Sequence, residues 1–143
     1  MSKGNTFEND LMKLIFNATP IGNIADNAAS GPLSNLYVSL HTSSPAEGGA
    51  QTANEAAYTN YARVAVARTS GGWTVTDNSV SPVAAIEFPE AGATSPETIT
   101  HFAIGTAASG TGKVLYYGTV TPNIAVDDGV TPRLKTDTTI TED

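Results

Sequence analysis

The stretch that most constrains this chain is Thr98 to Thr121, where two runs rich in β-branched and aromatic residues flank a loop of small residues. That pattern predicts a β-hairpin whose loop is longer than a two-residue turn. In the first run Thr98, Thr100, Phe102 and Ile104 alternate with Ile99, His101 and Ala103; in the second, Val114, Tyr116 and Val120 alternate with Leu115 and Tyr117. Apolar groups fall on both faces, so the hairpin is expected to be central to a sheet.

The loop of this hairpin, Ser109-Gly-Thr-Gly-Lys113, imitates the end of a phosphate-binding loop. Three features argue against that reading. The position where the motif needs its first glycine is Ala107, the residue after Lys113 is Val114 with no hydroxyl for magnesium, and a strand follows where a helix is required. A plain hairpin loop is the expectation.

The 143 residues suffice for one domain with a real core. With no cysteine, stability must come from burial, backbone pairing or association. Fourteen acidic against seven basic side chains give a net charge of −7, which opposes phosphate backbones and anionic membranes, so neither nucleic acid nor membrane is an expected partner. Charged residues make up only 15%, a surface style suited to packing against other subunits. The start lacks the apolar core of a signal peptide, and no run approaches the roughly 18 to 20 apolar residues of a membrane span. Synthesis in a cytoplasm, and solubility there, are expected.

Asn5 and Glu8 have the spacing of a capping box, and Phe7, Leu11, Leu14 and Ile15 fall on one helical face with Met12 and Phe16 beside it, predicting a helix to about Phe16. Its face either closes one end of the domain or docks on a neighbouring subunit. Residues 1–34 are expected to form this helix with a linker or arm, and residues 35–143 a β-sandwich domain. Leu36 to His41 reads as a strand with Leu36, Val38 and Leu40 buried and Tyr37, Ser39 and His41 opposite. Ser43 to Thr59, with Pro45, Gly48 and Gly49, reads as a long surface loop whose Glu47 and Glu55 have no partner identifiable from spacing. Tyr61 to Arg68 reads as a strand with Arg63 and Arg68 on opposite faces, solvated or salt-bridged; a Gly71-Gly72 turn and Trp73 to Val75 follow. Strand signal returns over 78–80 and 83–88, broken by Pro82 and stopped by Pro89, then over 124–126, and Arg133 to Thr141 alternates as one last strand. One helix and at least seven short strands predict a mainly β fold, a β-sandwich or jelly-roll-like domain with one N-terminal α-helix.

Nothing in the chain assembles a catalytic constellation. His41 and His101 are the only histidines, no Gly-x-Ser-x-Gly elbow is present, and both read as structural or interface residues. Asp127-Asp-Gly129 reads as a turn, since it lacks the alternating oxygen ligands of a calcium loop. Glu87, Glu90 and Glu97 read as solvating carboxylates rather than a glycosidase pair. Trp73 and the tyrosines are either core or interface anchors or, alternatively, a sugar-stacking platform. Neither a metal nor a cofactor is expected.

The order Phe7-Glu-Asn9, Leu36-Tyr-Val-Ser-Leu-His-Thr42, Ser44-Pro45, Tyr61-Ala-Arg-Val64, Asn78-Ser-Val80, Ile86-Glu-Phe-Pro89, Ile99-Thr-His-Phe-Ala-Ile-Gly105 and Leu115-Tyr-Tyr-Gly-Thr-Val120 resembles small virion proteins of tailed bacteriophages. Proteins that look like this are labelled tail fibre proteins, and similar β-rich chains decorate or cement phage heads. The resemblance implies a non-enzymatic structural part of a virion, made in the host bacterial cytoplasm. Without heptads or repeats the chain is expected to sit on a lattice as a head-decorating, cementing protein bound to the major capsid protein, and as a trimer by analogy with local three-fold positions. A tail, collar or fibre-base component is the alternative within the virion; a carbohydrate-binding host-adhesion module is the alternative of another class. Subunit contacts are expected at Phe7, Leu11 and Ile15 on the helix and at Pro45, Glu47, Tyr58 and Tyr61 in the loop that follows the first strand.

Overall fold

The computed structural model describes residues 5–21, 32–93 and 96–142. Among them one helix, α1 (Asn5–Asn17), precedes nine strands: β1 (Asn35–His41), β2 (Val64–Ala67), β3 (Trp73–Thr76), β4 (Ser79–Pro82), β5 (Ile86–Glu87), β6 (Glu97–Gly105), β7 (Val114–Val126), β8 (Arg133–Leu134) and β9 (Ile140–Thr141). The strand pairs with an assigned register are antiparallel, and the fold is mainly β with one N-terminal helix, in keeping with a β-sandwich. The backbone divides into two units, Met1–Asn35 with Val66–Ala85 and Lys135–Asp143, and Leu36–Ala65 with Ile86–Leu134.

In the first unit α1 packs on β3 and β4. Sequence periodicity put Phe7, Leu11, Leu14 and Ile15 on one face, either to close the domain or to dock on a neighbour, with Met12 and Phe16 beside it; the fully buried helix residues are Met12 and Phe16. Phe16 meets Trp73 edge-on with ring centroids 4.9 Å apart, and Trp73 is 1% exposed. Large aromatic rings bury more area than branched aliphatic chains, so this pair sets the helix rotation. Asn9 donates to the Asp77 carbonyl at 3.0 Å on the same side. The Asn5 side chain of the expected capping box lies outside the described residues, as does most of the expected 21–34 linker.

The other end of the helix is capped by a residue distant in sequence. Its last turn has no basic residue, yet Arg68 donates from Nη2 to the Leu14 carbonyl and from Nε to the Ile15 carbonyl, both at 2.5 Å, and from Nη1 to Leu33. A cation there satisfies carbonyls left open by the final turn and opposes the negative end of the helix dipole. Ala18 follows at φ 53°, a left-handed conformation that turns the chain out of the helix, and the Thr19 N–H reaches back to the Lys13 carbonyl.

The three-stranded sheet runs β3-β4-β9. A two-residue turn, Asp77-Asn78, joins β3 to β4, and Asp77 takes the positive φ of 53° that such turns require at their first position. Pro82 ends β4 opposite Trp73 rather than breaking it, because β9 pairs only with Ser79 and Val80 and asks no donor of the proline.

In the second unit the four-stranded sheet has the order β2-β1-β6-β7, with the last residues of β2 belonging to the first unit. The predicted hairpin is β6 and β7, but it is not wholly central: β6 is interior, whereas β7 is the last strand of the sheet. Val38, Leu40, Ile99, Phe102 and Ile104 form its core. Ser39 and His41 are buried as well, so the terminal half of β1 is enclosed on both faces and not only on the one its alternation marks. Register slips between Ile99 and His101, where Val120, Thr121, Pro122 and Asn123 on β7 face Thr100 alone. The expected last strand over 133–141 is two: β8 pairs with β5 and β9 with β4, and a turn closed by the Thr138 N–H on the Lys135 carbonyl lies between.

Ala18 supplies a test of the helix end. A residue with a Cβ pays roughly 1 kcal/mol in the left-handed region that glycine does not. Ala18→Gly should therefore raise unfolding free energy by about that amount, read as a higher urea midpoint with an unchanged slope.

Candidate functional site

A buried polar constellation in the second unit surrounds Arg63. Its side chain is 2% exposed and its guanidinium donors are shared among four contacts. Nε and Nη2 fork onto Glu55 Oε1 and Oε2 at 2.6 and 2.8 Å, Nη1 donates to the Ala107 carbonyl at 2.8 Å, and Nη2 also reaches the Gly110 carbonyl at 2.8 Å. Glu55 accepts a further bond from the Tyr61 hydroxyl at 2.9 Å, and that hydroxyl accepts from the Leu40 N–H. A charge this enclosed is tolerable only when paired and saturated with hydrogen bonds. The bond from Glu55 raises the Arg63 pKa despite burial, and burial pushes the Tyr61 phenol far above its ordinary value.

Gln51 completes the attachment of the loop. Fully buried, it accepts from the Ala107 N–H at 3.0 Å and donates to the Tyr37 carbonyl. A Cβ at either Gly105 or Gly112 would run into the Gln51 amide, so these two glycines make its berth. Thr106 and Lys113 close the loop base, with the Thr106 N–H on the Lys113 carbonyl and the Lys113 N–H on Thr106 Oγ1. Between them Ala108, Ser109, Gly110 and Thr111 are exposed, and Gly110 has φ 68°. The segment that imitates a phosphate loop is thus a hairpin tip held from beneath.

A second set of bonds fixes the chain from Ala57 to Asn60. Glu97, at the start of β6, accepts from the Ala57 and Tyr58 N–H groups; the Tyr58 hydroxyl donates to the Pro89 carbonyl; Asn60 donates to the Glu90 carbonyl. Burial, reinforced by the Glu97 charge, pushes the Tyr58 phenol up to about 12. Glu87 is cross-strand from Arg133 and pairs with it at 2.8 Å in solvent.

Ser39 and His41 present a nucleophile–base geometry, Oγ to Nε2 at 2.9 Å. The His41 Nδ1 lies 2.8 Å from the Ala53 carbonyl, an acceptor only, which assigns the proton to Nδ1 and leaves Nε2 to accept from Ser39. Both residues are 0% exposed, so the pair ties the loop to β1 and has no route to a substrate. Burial lowers the His41 pKa; the bond to Ala53 and the charge of Glu55 oppose the shift, and Arg63 and His101 add to it. His101 is directly opposite His41 across the β1–β6 ladder, with its Nδ1 on Thr100 Oγ1. Among the described residues no group of three His, Cys, Asp or Glu is placed to hold a metal.

The expected contact residues separate into two kinds. Phe7 is 41% exposed, Glu47 is exposed, and Leu11 and Ile15 are half-buried. Pro45 and Tyr58 are buried, and Tyr61 is half-buried beneath the Arg63 network, with its ring parallel to Phe88, so these three anchor the loop from inside. Trp73 is enclosed and unavailable for sugar stacking. Sequence reasoning did not foresee the joining of Gln51, Glu55, Arg63 and Glu97 to the hairpin loop and its neighbours; the paired glycines at 105 and 112 were the one signal that something occupied that space.

A family model described as Podophage GP4 fiber I protein gp80 matches residues 4–141. No curated protein matches the chain.

Removing one partner of the buried pair strands the other, so Arg63→Met should destabilise by roughly 3–5 kcal/mol, whereas Arg63→Met combined with Glu55→Gln should recover part of that loss in a double-mutant cycle by chemical denaturation. The His41 site makes stability pH-dependent. The folded chain refuses a proton that the unfolded chain accepts near pH 6.5, so this contribution is complete above 6.5 and declines as pH falls toward the depressed folded value. Melting temperature should drop between about pH 7 and pH 5.5, and His41→Asn should flatten that slope.

Proposed function

The chain belongs to the podophage GP4 fiber I protein gp80 family, and we propose that it is a non-enzymatic building block of the fibre apparatus, seated at a fibre base or collar. Family membership makes it a structural virion protein that meets other virion proteins. The position at the base follows from what a shaft would require. A shaft spans distance with heptads or repeats, and this sequence has neither.

The observation that carries the attachment is the two-sided helix. At 3.6 residues per turn, Phe7, Leu11 and Leu14 lie within about 60° of one another, and their mean direction is about 150° from that of the buried Met12 and Phe16. The helix therefore spends one apolar stripe on β3 and β4 and keeps a second on its other side, where Phe7 is the most exposed of the three. A helix that only closed its own unit would carry polar residues there. Phe7 and Leu11, with Ile15 beside them, are the proposed contact with a neighbouring virion subunit, and Glu47 is an exposed candidate in the loop. The expected trimer belongs with the head-decorating alternative, whose lattice offers local three-fold positions.

The test is attachment of the purified protein to tails and, separately, to empty heads, read by negative-stain microscopy, with oligomeric state read by sedimentation. Binding to tails supports the fibre-base reading. Regular decoration of heads would replace it with the cementing role, and binding to host glycan alone would replace both. Leu11→Asp should abolish attachment at an unchanged melting temperature; unfolding of that variant would show the stripe to be core.

A further inference from the structure

We propose that the outer stripe of α1 receives an amphipathic helix of another virion protein, one whose own apolar seam is bordered by lysine or arginine; this rests on the reading of the stripe as the attachment surface. Phe7, Leu11 and Leu14 follow one another at intervals of four and three residues, the spacing by which one helix seats its side chains between those of a second. The stripe is about 60° wide, whereas a helix face laid on a core spans roughly 100° or more. It lasts two turns, too few for a shaft and enough to seat one neighbour.

The charges beside the stripe choose the neighbour. On the helical projection Asp10 lies about 70° to one side of its mean direction and Glu8 about 90° to the other, so a carboxylate borders it on each flank. Asn9, on the packed side, is engaged with the Asp77 carbonyl, whereas Glu8 and Asp10 have no ion-pair partner among the described residues. An arriving apolar seam takes water from both carboxylates, which favours a partner that brings opposite charge to the same flanks. A second copy of this chain does not bring it: Lys13, the one basic residue in α1, stands about 130° from the stripe. The net charge of −7 draws the same kind of partner from a distance.

The experiment uses the full chain and purified tails, with binding read by co-sedimentation and folding by melting temperature. Wild-type affinity should fall about tenfold as salt rises from about 50 to about 500 mM, because the flanking charge pairs are screened. Asp10→Lys, beyond the first turn of the helix, should lower binding about tenfold or more at an unchanged melting temperature. Glu8→Gln combined with Asp10→Asn should remove most of the salt dependence. As a defined probe, a helical peptide with leucine at its seam positions and lysine on both flanks should bind the wild type about tenfold tighter than the same peptide with glutamate flanks. Loss of tail binding in Phe7→Ala, with full binding by every charge variant, overturns this proposal and leaves the attachment reading intact. Equal binding of the two peptides overturns it too, as does tighter tail binding by Asp10→Lys or a wild-type dimer that Leu11→Asp dissolves. Failure of the wild type to bind tails at all sinks the fibre-base reading, and this proposal with it.

Discussion

A guanidinium can leave water only if its donors find acceptors in a planar fork, and that requirement organises the second unit around Arg63. Its acceptors come from Glu55, Ala107 and Gly110, positions up to 47 residues away in sequence, so the pairing is satisfied only when the chain from Glu55 to Arg63 and the β6–β7 loop are both in place. Tyr61 and Gln51 extend the same requirement, the first through Glu55 to the backbone of β1, the second from Tyr37 to Ala107. Loops made of alanine, serine, threonine and glycine have little apolar area with which to hold a shape. A buried, saturated ion pair supplies a directional restraint where hydrophobic burial cannot.

The first unit solves a related problem with different chemistry. Its helix is short enough to be marginal alone and depends on tertiary contacts: Phe16 against Trp73 on its buried side, Asn9 near one end and Arg68 over its last carbonyls. Both arginines of the Tyr61–Arg68 stretch are therefore employed on backbone carbonyls of distant segments. An acidic chain with few cations has placed two of them where each joins several segments of chain.

What was legible in the sequence follows the range of the interaction that decides it. The helix, β1, the β6–β7 hairpin and the mainly β class rest on local periodicity, and the residues concerned state it plainly. Which apolar stripe of the helix packs was not legible, because spacing alone cannot choose between two; the choice was made by Trp73, a residue with no marker of its partnership in the sequence. Similarly, Leu134 and Ile140 keep the alternation of one strand, yet they belong to different sheets because Ile86 and Val80 are their separate partners. Burial of Pro45 and Tyr58 was hidden for the same reason. A loop rich in turn residues ordinarily lies on the surface, and partners far along the chain, among them the carboxylate of Glu97 and the carbonyl of Pro89 on Tyr58, draw this one inward.

The slipped register of β7 bears on how many copies can be crowded together. As the last strand of its sheet, β7 has thirteen residues and no charge among them, the composition of an edge that would recruit further strands without limit. Pro122 removes a donor from that edge, and the four residues opposite Thr100 push it out of line, so a second chain laid alongside would lose its pairing within a few residues. Open-ended growth by strand addition is thereby interrupted at its template. A virion concentrates its proteins to densities at which such growth would compete with ordered assembly, and this edge leaves side chains, rather than shared sheet, as the means by which neighbours are chosen.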